Sequence, residues 1–303
     1  MAHTGSDGDP SSSPIRLPGD PGDSTTVGGI IERGGWIARP DQRLSQIVSR
    51  RPGGITTNQW NSASRTRFDF AVWDDGGEMP AFVVEFADPT GQTPEMQRGD
   101  RMKHAVCEAV GLELLRIESS TLRPAVHGRR IVAYVIDARA FRDATADPAE
   151  AGDPLPGEPL SYRDIVGRLP DGRSGHVNDL GTVARAAAVD AYVNREVTDP
   201  IVRSLHLGWK NGPAEGWAWL QVRDGAVIFE RVRIWQHRFS CGVEPGQLAE
   251  DLATAAVGER LRTRHTAEPV LRDRAHLGRE LDELRRRRDE LENPFAFDHV
   301  SFY

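Results

Sequence analysis

A chain of 303 residues, 38% of them hydrophobic, can bury a sizeable core as one large domain or two ordinary ones. Two cysteines, Cys107 and Cys241, exclude a disulfide framework and predict a reducing, cytoplasmic setting; no apolar run approaches the roughly 20 residues of a membrane helix. A formal net charge of −7 argues against a nonspecific nucleic-acid binder.

Residues 1–27 are rich in Gly, Ser, Pro and Asp, carry −3, and predict a disordered leader with no secretory signal. The segment 41–51 predicts a short helix capped by Asp41. The runs 67–74 and 80–88 are apolar, β-branched and aromatic, and 75–79 (DGGEM) supplies a turn, so together they predict a hairpin of buried strands. Over 93–111, Met102, Ala105, Val106, Ala109 and Val110 share a helical face that Gly111 closes. A strand follows at 112–119, then a packing helix at 129–141, where the pattern also permits a strand.

Asp, Pro, Gly and Ala crowd 143–160 and predict a linker between a domain at 28–142 and an α+β accessory domain at 161–303. Beyond it, 180–196 reads as a helix, and 216–222 and 226–235 as a hairpin on a type I′ Asp224-Gly225 turn. An amphipathic helix follows at 245–264. A long charged helix at 271–293 carries a thin stripe of Leu277, Leu281, Leu284 and Leu291, suited to a docking helix or short coiled coil. The acidity is uneven: residues 28–144 carry +1, 145–200 carry −5, and 201–303 balance at zero.

Three charged residues stand where an α/β core wants hydrophobes. Asp69 interrupts Phe68-Asp69-Phe70, and Glu85 interrupts the apolar run of the next strand. A buried carboxylate is costly unless paired or bound to a metal. Two on adjacent hairpin strands can converge on a cation, and hard oxygens suit Mg²⁺ or Mn²⁺. Lys103 lies at the border of the apolar helix face, near Asp100 and Cys107; its stem can run along the sheet and deliver the ammonium to the carboxylates. Only two of the 38 basic residues are lysine, Lys103 and Lys210, which singles out the one placed here.

In this order, Phe68-Asp69-Phe70, Val84-Glu85-Phe86-Ala87-Asp88-Pro89, Asp100-Arg101-Met102-Lys103 and Gly111-Leu112-Glu113-Leu114-Leu115-Arg116-Ile117 resemble the restriction-endonuclease-like PD-(D/E)XK superfamily. More narrowly, they are similar to a bacterial branch related to very-short-patch-repair endonucleases, in which the motif lysine has moved to the following helix. The resemblance covers about residues 28–142. It implies an α/β fold with an αβββαβ core and hydrolysis of DNA phosphodiester bonds with Mg²⁺ or Mn²⁺. Asp69 and Glu85 would be the metal ligands and Lys103 the catalytic ammonium. Asp88, Asp100 and Arg116 would support them, and Arg65, Arg67 and Arg101 would contact nucleic acid. The parent motif's lysine position holds Ala87, and a frequent histidine of the branch is Gly91, with Asp88 a possible substitute acid. These departures keep open a degenerate nuclease fold that binds nucleic acid or scaffolds a complex; a third reading is a protein-interaction factor whose activity lies in 161–303.

Plainer roles stand beside these. Asp69 can satisfy a backbone group or an arginine such as Arg65 or Arg116; Asp88 and Asp100 can be turn and helix-start residues. Arg116 pairs with an acidic neighbour, His104 points to solvent and Cys107 packs. Trp217, Trp219, Phe229 and Trp235, interleaved with Arg231, Arg233 and Arg238, read first as a half-buried strand pair, and second as a stacking surface for nucleic acid.

Overall fold

Two strands that periodicity does not reveal open the fold, β1 (Ile31–Arg33) and β2 (Trp36–Arg43), paired antiparallel. The computed structural model describes residues 29–146, 161–169, 172, 174–264 and 270–293. The predicted leader, and 147–160 of the predicted linker, lie outside the described residues.

The helix expected over 41–51 shrinks to one turn, α1 (Leu44–Ile47), because β2 continues to Arg43 against the next strand. Asp41 sits inside β2 with a left-handed φ of 53° and pairs with Arg67, so it caps nothing. After α2 (Thr57–Ala63), β3 (Arg67–Trp73) and β4 (Phe82–Ala87) form the predicted hairpin. The helix α3 (Pro94–Val110) starts where Thr93 accepts a hydrogen bond from the Met96 N–H, with Pro94 in its first turn, and ends at left-handed Gly111. Next come β5 (Glu113–Glu118), parallel to β4, and α4 (Arg129–Thr145), which settles the 129–141 pattern as helix.

The rest of the chain forms a small ribbon of β6 (Val166–Arg168) and β7 (Ser174–His176), then α5 (Thr182–Val193) and β8 (Arg203–Gly208). The hairpin β9 (Ala214–Arg223) and β10 (Ala226–His237) follows, then α6 (Pro245–Thr263), β11 (Arg272–Asp273) and α7 (Arg274–Arg286). Within the hairpin turn only Gly225 has positive φ, and the register shifts at Ala226/Val227. The turn is therefore bulged, not type I′.

The class is α/β, built on a nine-stranded mixed sheet in the order β1-β2-β3-β4-β5-β10-β9-β8, with β11 beside β10. Antiparallel pairing of β5 with β10, from Glu118 opposite Arg233 to Leu114 opposite His237, carries this sheet across the predicted domain division. One sheet face is covered by α4 and α6, with α5 outside α6, around a core that runs from Ile31 to Leu261. The other face carries two separate apolar clusters. Val83 and Leu114 pack with Val106 and Cys107 of α3, while Trp217 and Phe229 pack with Leu277, Leu281 and Leu284 of α7. The leucine stripe is thus a docking seam onto the sheet, and a polar strip of sheet lies open between α3 and α7. No helix among the described residues is long and apolar enough to cross a membrane.

The contact of α6 with β9 has no room for a side chain. A Cβ at Gly216 would stand 2.0 Å from the Ala249 carbonyl carbon and 2.1 Å from its oxygen. Both obstacles are helix backbone, so relief requires moving α6 away from the sheet. Gly216→Ala is expected to cost at least ~2 kcal/mol of unfolding free energy, read from denaturant midpoints; an unchanged midpoint would contradict this packing.

Candidate functional site

The polar strip contains a charged cluster assembled from four elements. Asp69 comes from β3, Glu85 from β4, Asp100, Lys103 and His104 from α3, and Arg116 from β5. The β3–β4 register pairs Phe70 with Val84; one step on, it brings Asp69 level with Glu85. The β4–β5 register sets Glu85 beside Arg116. Residues three and four apart on α3 present Asp100, Lys103 and His104 toward the same stretch of sheet.

Glu85, Lys103 and Arg116 are almost fully buried, at 4%, 6% and 6% exposure, and Asp69 is half-buried. The Lys103 ammonium stands 2.6 Å from Glu85 Oε1, 3.5 Å from Asp100 Oδ1 and 5.5 Å from the Phe68 ring centre. The other Glu85 oxygen, Oε2, faces His104 Nε2 at 3.4 Å and Arg116 Nη1 at 3.3 Å. Arg116 also donates to Asp100 Oδ2 at 2.8 Å and to Glu118 Oε1 at 3.1 Å, which locks its plane. Asp69 Oδ2 accepts the Phe86 N–H at 2.6 Å.

The two carboxyls are driven apart electrostatically. Burial pushes Glu85 up, but Lys103 and His104 outweigh it and hold the group at about 2. At Asp69, burial raises the pKa, the Phe86 N–H offsets part of this, and the Glu85 charge adds to the rise. Burial also opposes the charge on Arg116, yet Glu85 and Asp100 more than compensate and raise its pKa. The Cys107 thiol is pushed up to about 12 by burial and by Glu85, so it packs and does not react.

Asp69, Glu85, Lys103, Asp100 and Arg116 therefore meet in one place, while the remaining candidates stand elsewhere. Asp88 accepts from the Thr90 N–H and hydroxyl and pairs with Arg123 at 2.9 Å, so its oxygens serve a turn and not the cluster. Arg67 is paired with Asp41, Arg65 is exposed, and Arg101 is exposed on the rim of a cleft of about 670 Å³ that opens beside the cluster. His104 corrects the sequence reading: it is half-buried against Glu85 and lines that cleft instead of pointing away. Its spacing of four from Asp100 and three from Cys107 already places it on the inner face. Glu118 was also missed, because its role depends on the fixed plane of Arg116.

The donor set can be tested against a cation. Among the described residues no group of three or more His, Cys, Asp or Glu side chains converges as a metal shell. A zinc cage is thus not provided for, whereas Mg²⁺ needs only one or two carboxylates beside water and phosphate oxygens. Asp69 and Glu85 meet that lesser demand. Glu85 Oε1 is buried and, despite the nearby ammonium, accepts no hydrogen bond of normal geometry. A hard divalent ion held by this pair would have to compete with Lys103 for Glu85.

Residues 43–133 match the profile of a family described as "Protein of unknown function (DUF2726)", a segment that runs from the end of β2 into α4 and contains the whole cluster. No curated protein and no solved structure is significantly similar to the chain.

Proposed function

We propose that this protein is a divalent-metal-dependent nuclease that hydrolyses DNA phosphodiester bonds, acting in the cytoplasm in repair or defence. In this reading β3, β4, α3 and β5 are the heart of a restriction-endonuclease-like core. The observation that carries it is the lysine ammonium held 2.6 Å from a buried glutamate, one strand from a half-buried aspartate. Asp69 stands beside that pair with the Phe86 N–H as its hydrogen-bond donor, and a cluster of perturbed groups at a cleft is the physical pattern of a functional site.

Asp69 and Glu85 would hold Mg²⁺ or Mn²⁺, whose chemistry when bound is charge neutralisation at the phosphate and activation of water. Lys103 is aimed by Glu85 and Asp100 and stabilises negative charge developing on the phosphoryl oxygens. Arg116 holds Glu85 and Asp100 in place and is itself held by Glu118, a positioning role. His104, on the cleft side of Glu85, is within reach of a proton moving to or from bulk water.

Purified full-length protein is expected to nick plasmid or degrade oligonucleotides in Mg²⁺ or Mn²⁺ and to stop in EDTA. If wild type and Lys103→Ala prove equally inert across metals and DNA forms, the enzymatic reading is wrong. A second reading, a nuclease fold retained for nucleic-acid binding or scaffolding, draws support from one feature. Both Glu85 oxygens already face cationic side chains, and Ala87 stands where the parent motif carries its lysine. In that case heat denaturation shows no metal-dependent stabilisation.

A further inference from the structure

The aromatic hairpin that the sequence singles out divides in two once folded. Trp217, Trp219 and Phe229 are buried, and Trp217 and Phe229 sit under the α7 leucines. Trp235 is different: it is 43% exposed and stands on the open strip between α3 and α7. Its place in the sheet is fixed by pairing, since Trp235 is opposite Arg116 on β5, and Arg116 is opposite Glu85 on β4. Two strand spacings, about 10 Å, therefore separate its backbone from that of Glu85.

The strip is one continuous depression. Three hollows of about 670, 580 and 190 Å³ share Glu118. The first two also share Trp235, and the last two share Arg233. Two residues from Trp235 on the same sheet face, His237 also lines the first hollow, and its Nε2 is buried with no hydrogen-bond partner among the described residues. The electrostatics are balanced. Arg233 is bonded to Glu215 at 2.8 Å, Arg116 is tied to its three carboxylates, Arg287 pairs with Glu290 at 2.6 Å, and the Lys210 ammonium donates to the Asp289 backbone carbonyl at 2.8 Å. A neutral floor is poorly suited to gripping the paired phosphate rows of a duplex, whose affinity is dominated by charge. An exposed indole on the wall of such a groove suits an unstacked base, because stacking needs a free ring face and no matched charge.

We infer that Trp235 is a stacking platform for an unpaired base, and that the groove between α3 and α7 receives single-stranded DNA beside the carboxylate–lysine cluster. The inference rests on the nuclease reading for its choice of ligand, but its test does not depend on cleavage. A labelled oligo(dT) strand and a hairpin duplex of equal length are titrated with full-length protein in EDTA, where no hydrolysis occurs. The single strand is expected to bind more tightly and with a shallow salt dependence. Trp235→Ala is expected to weaken it about tenfold or more, and Trp235→Phe to keep it within about threefold. Thermal midpoints of both variants near wild type ensure that the loss is not unfolding. Equal affinity for the two forms, a Trp235→Ala variant that binds like wild type, or binding of neither form would each overturn the inference. If cleavage fails while Trp235-dependent binding persists, the nuclease reading falls and the groove stands. If duplex is cleaved with no dependence on Trp235, the reverse holds.

Discussion

Replacing Lys103 with alanine is expected to remove nuclease activity and to make the protein more sensitive to acid. A preorganised donor aimed at charge developing on a phosphoryl oxygen contributes about 10²–10³ in rate, so turnover in saturating Mg²⁺ should fall by at least that factor. Lys103→Arg should not restore it, because the larger planar guanidinium cannot place a compact point charge where the ammonium sits between Glu85 and Asp100. The stability effect comes from the partner left behind. Breaking a buried pair by deleting one member typically costs about 3–5 kcal/mol. Arg116 and His104 still face Glu85 Oε2, which favours the lower end, about 3 kcal/mol. The pH dependence has a definite sign. Glu85 is held at about 2, below its ordinary 4.5, so its contribution is present above about pH 4.5 and is lost as pH falls through about 2. Without Lys103 the folded-state value rises toward the unfolded one, and acid unfolding should begin at higher pH. A variant with wild-type turnover would remove Lys103 from the chemistry; an unchanged acid-unfolding curve would remove it from the support of Glu85.

Asp69→Asn is expected to separate function from stability. Its carboxyl is raised by burial and by the Glu85 charge, the opposite sign from Glu85. A raised carboxyl stabilises the fold at pH below its unfolded value and loses that contribution as pH rises through the folded value. Once ionised, Asp69 is therefore a burden on the fold. Asparagine preserves an oxygen to accept the Phe86 N–H while removing the charge. The variant should melt at or above the wild-type temperature in metal-free buffer. It should also lose at least ~10² in cleavage rate, and any rise in melting temperature on adding Mg²⁺ or Mn²⁺ should disappear. A fall of several degrees without metal would show that Asp69 serves the fold. Retained metal stabilisation would show that cation binding lies elsewhere. Gain of stability with loss of activity is the signature of a residue kept for chemistry.

These two expectations differ in kind because two carboxyls of one cluster have opposite environments. Glu85 lies at the centre, between a lysine, an arginine and a histidine, and contributes to holding α3 against the sheet. Asp69 lies at the margin, with a backbone N–H as its hydrogen-bond donor, and is the group with capacity left for a ligand. Arg116 connects the site to the rest of the molecule. It touches Glu85 and Asp100 on one side, and on the other its strand neighbour in β10 is Trp235. The segment expected to be an accessory domain thereby contributes the strand next to the site and one wall of the groove.

Much of this was legible in the residues. The strands around Asp69 and Glu85, the helix bearing Lys103, the strand bearing Arg116 and the α7 docking seam all follow from local periodicity, caps and turn residues. Such signals depend on neighbours within a few positions, so local sequence suffices to set these elements and the order in which the charged residues occur along them. It misread 41–51, because pairing of β2 with β3 outcompetes a weakly capped helix, and it turned His104 outward although helical spacing turns it in.

Tertiary structure alone decided what those elements face. The pairing of β5 with β10 joins residues more than 110 positions apart, and no periodicity within either strand encodes it. That pairing made one sheet of two predicted domains and set Trp235 beside Arg116. The docking of α7 then buried Trp217 and Phe229 and left Trp235 uncovered. Composition treats these aromatic residues as equivalent; burial against a helix some 50 positions away separates them. The balanced charge of 201–303 takes physical form in the same way, with Arg233 bonded to Glu215 and Arg287 to Glu290 along the groove.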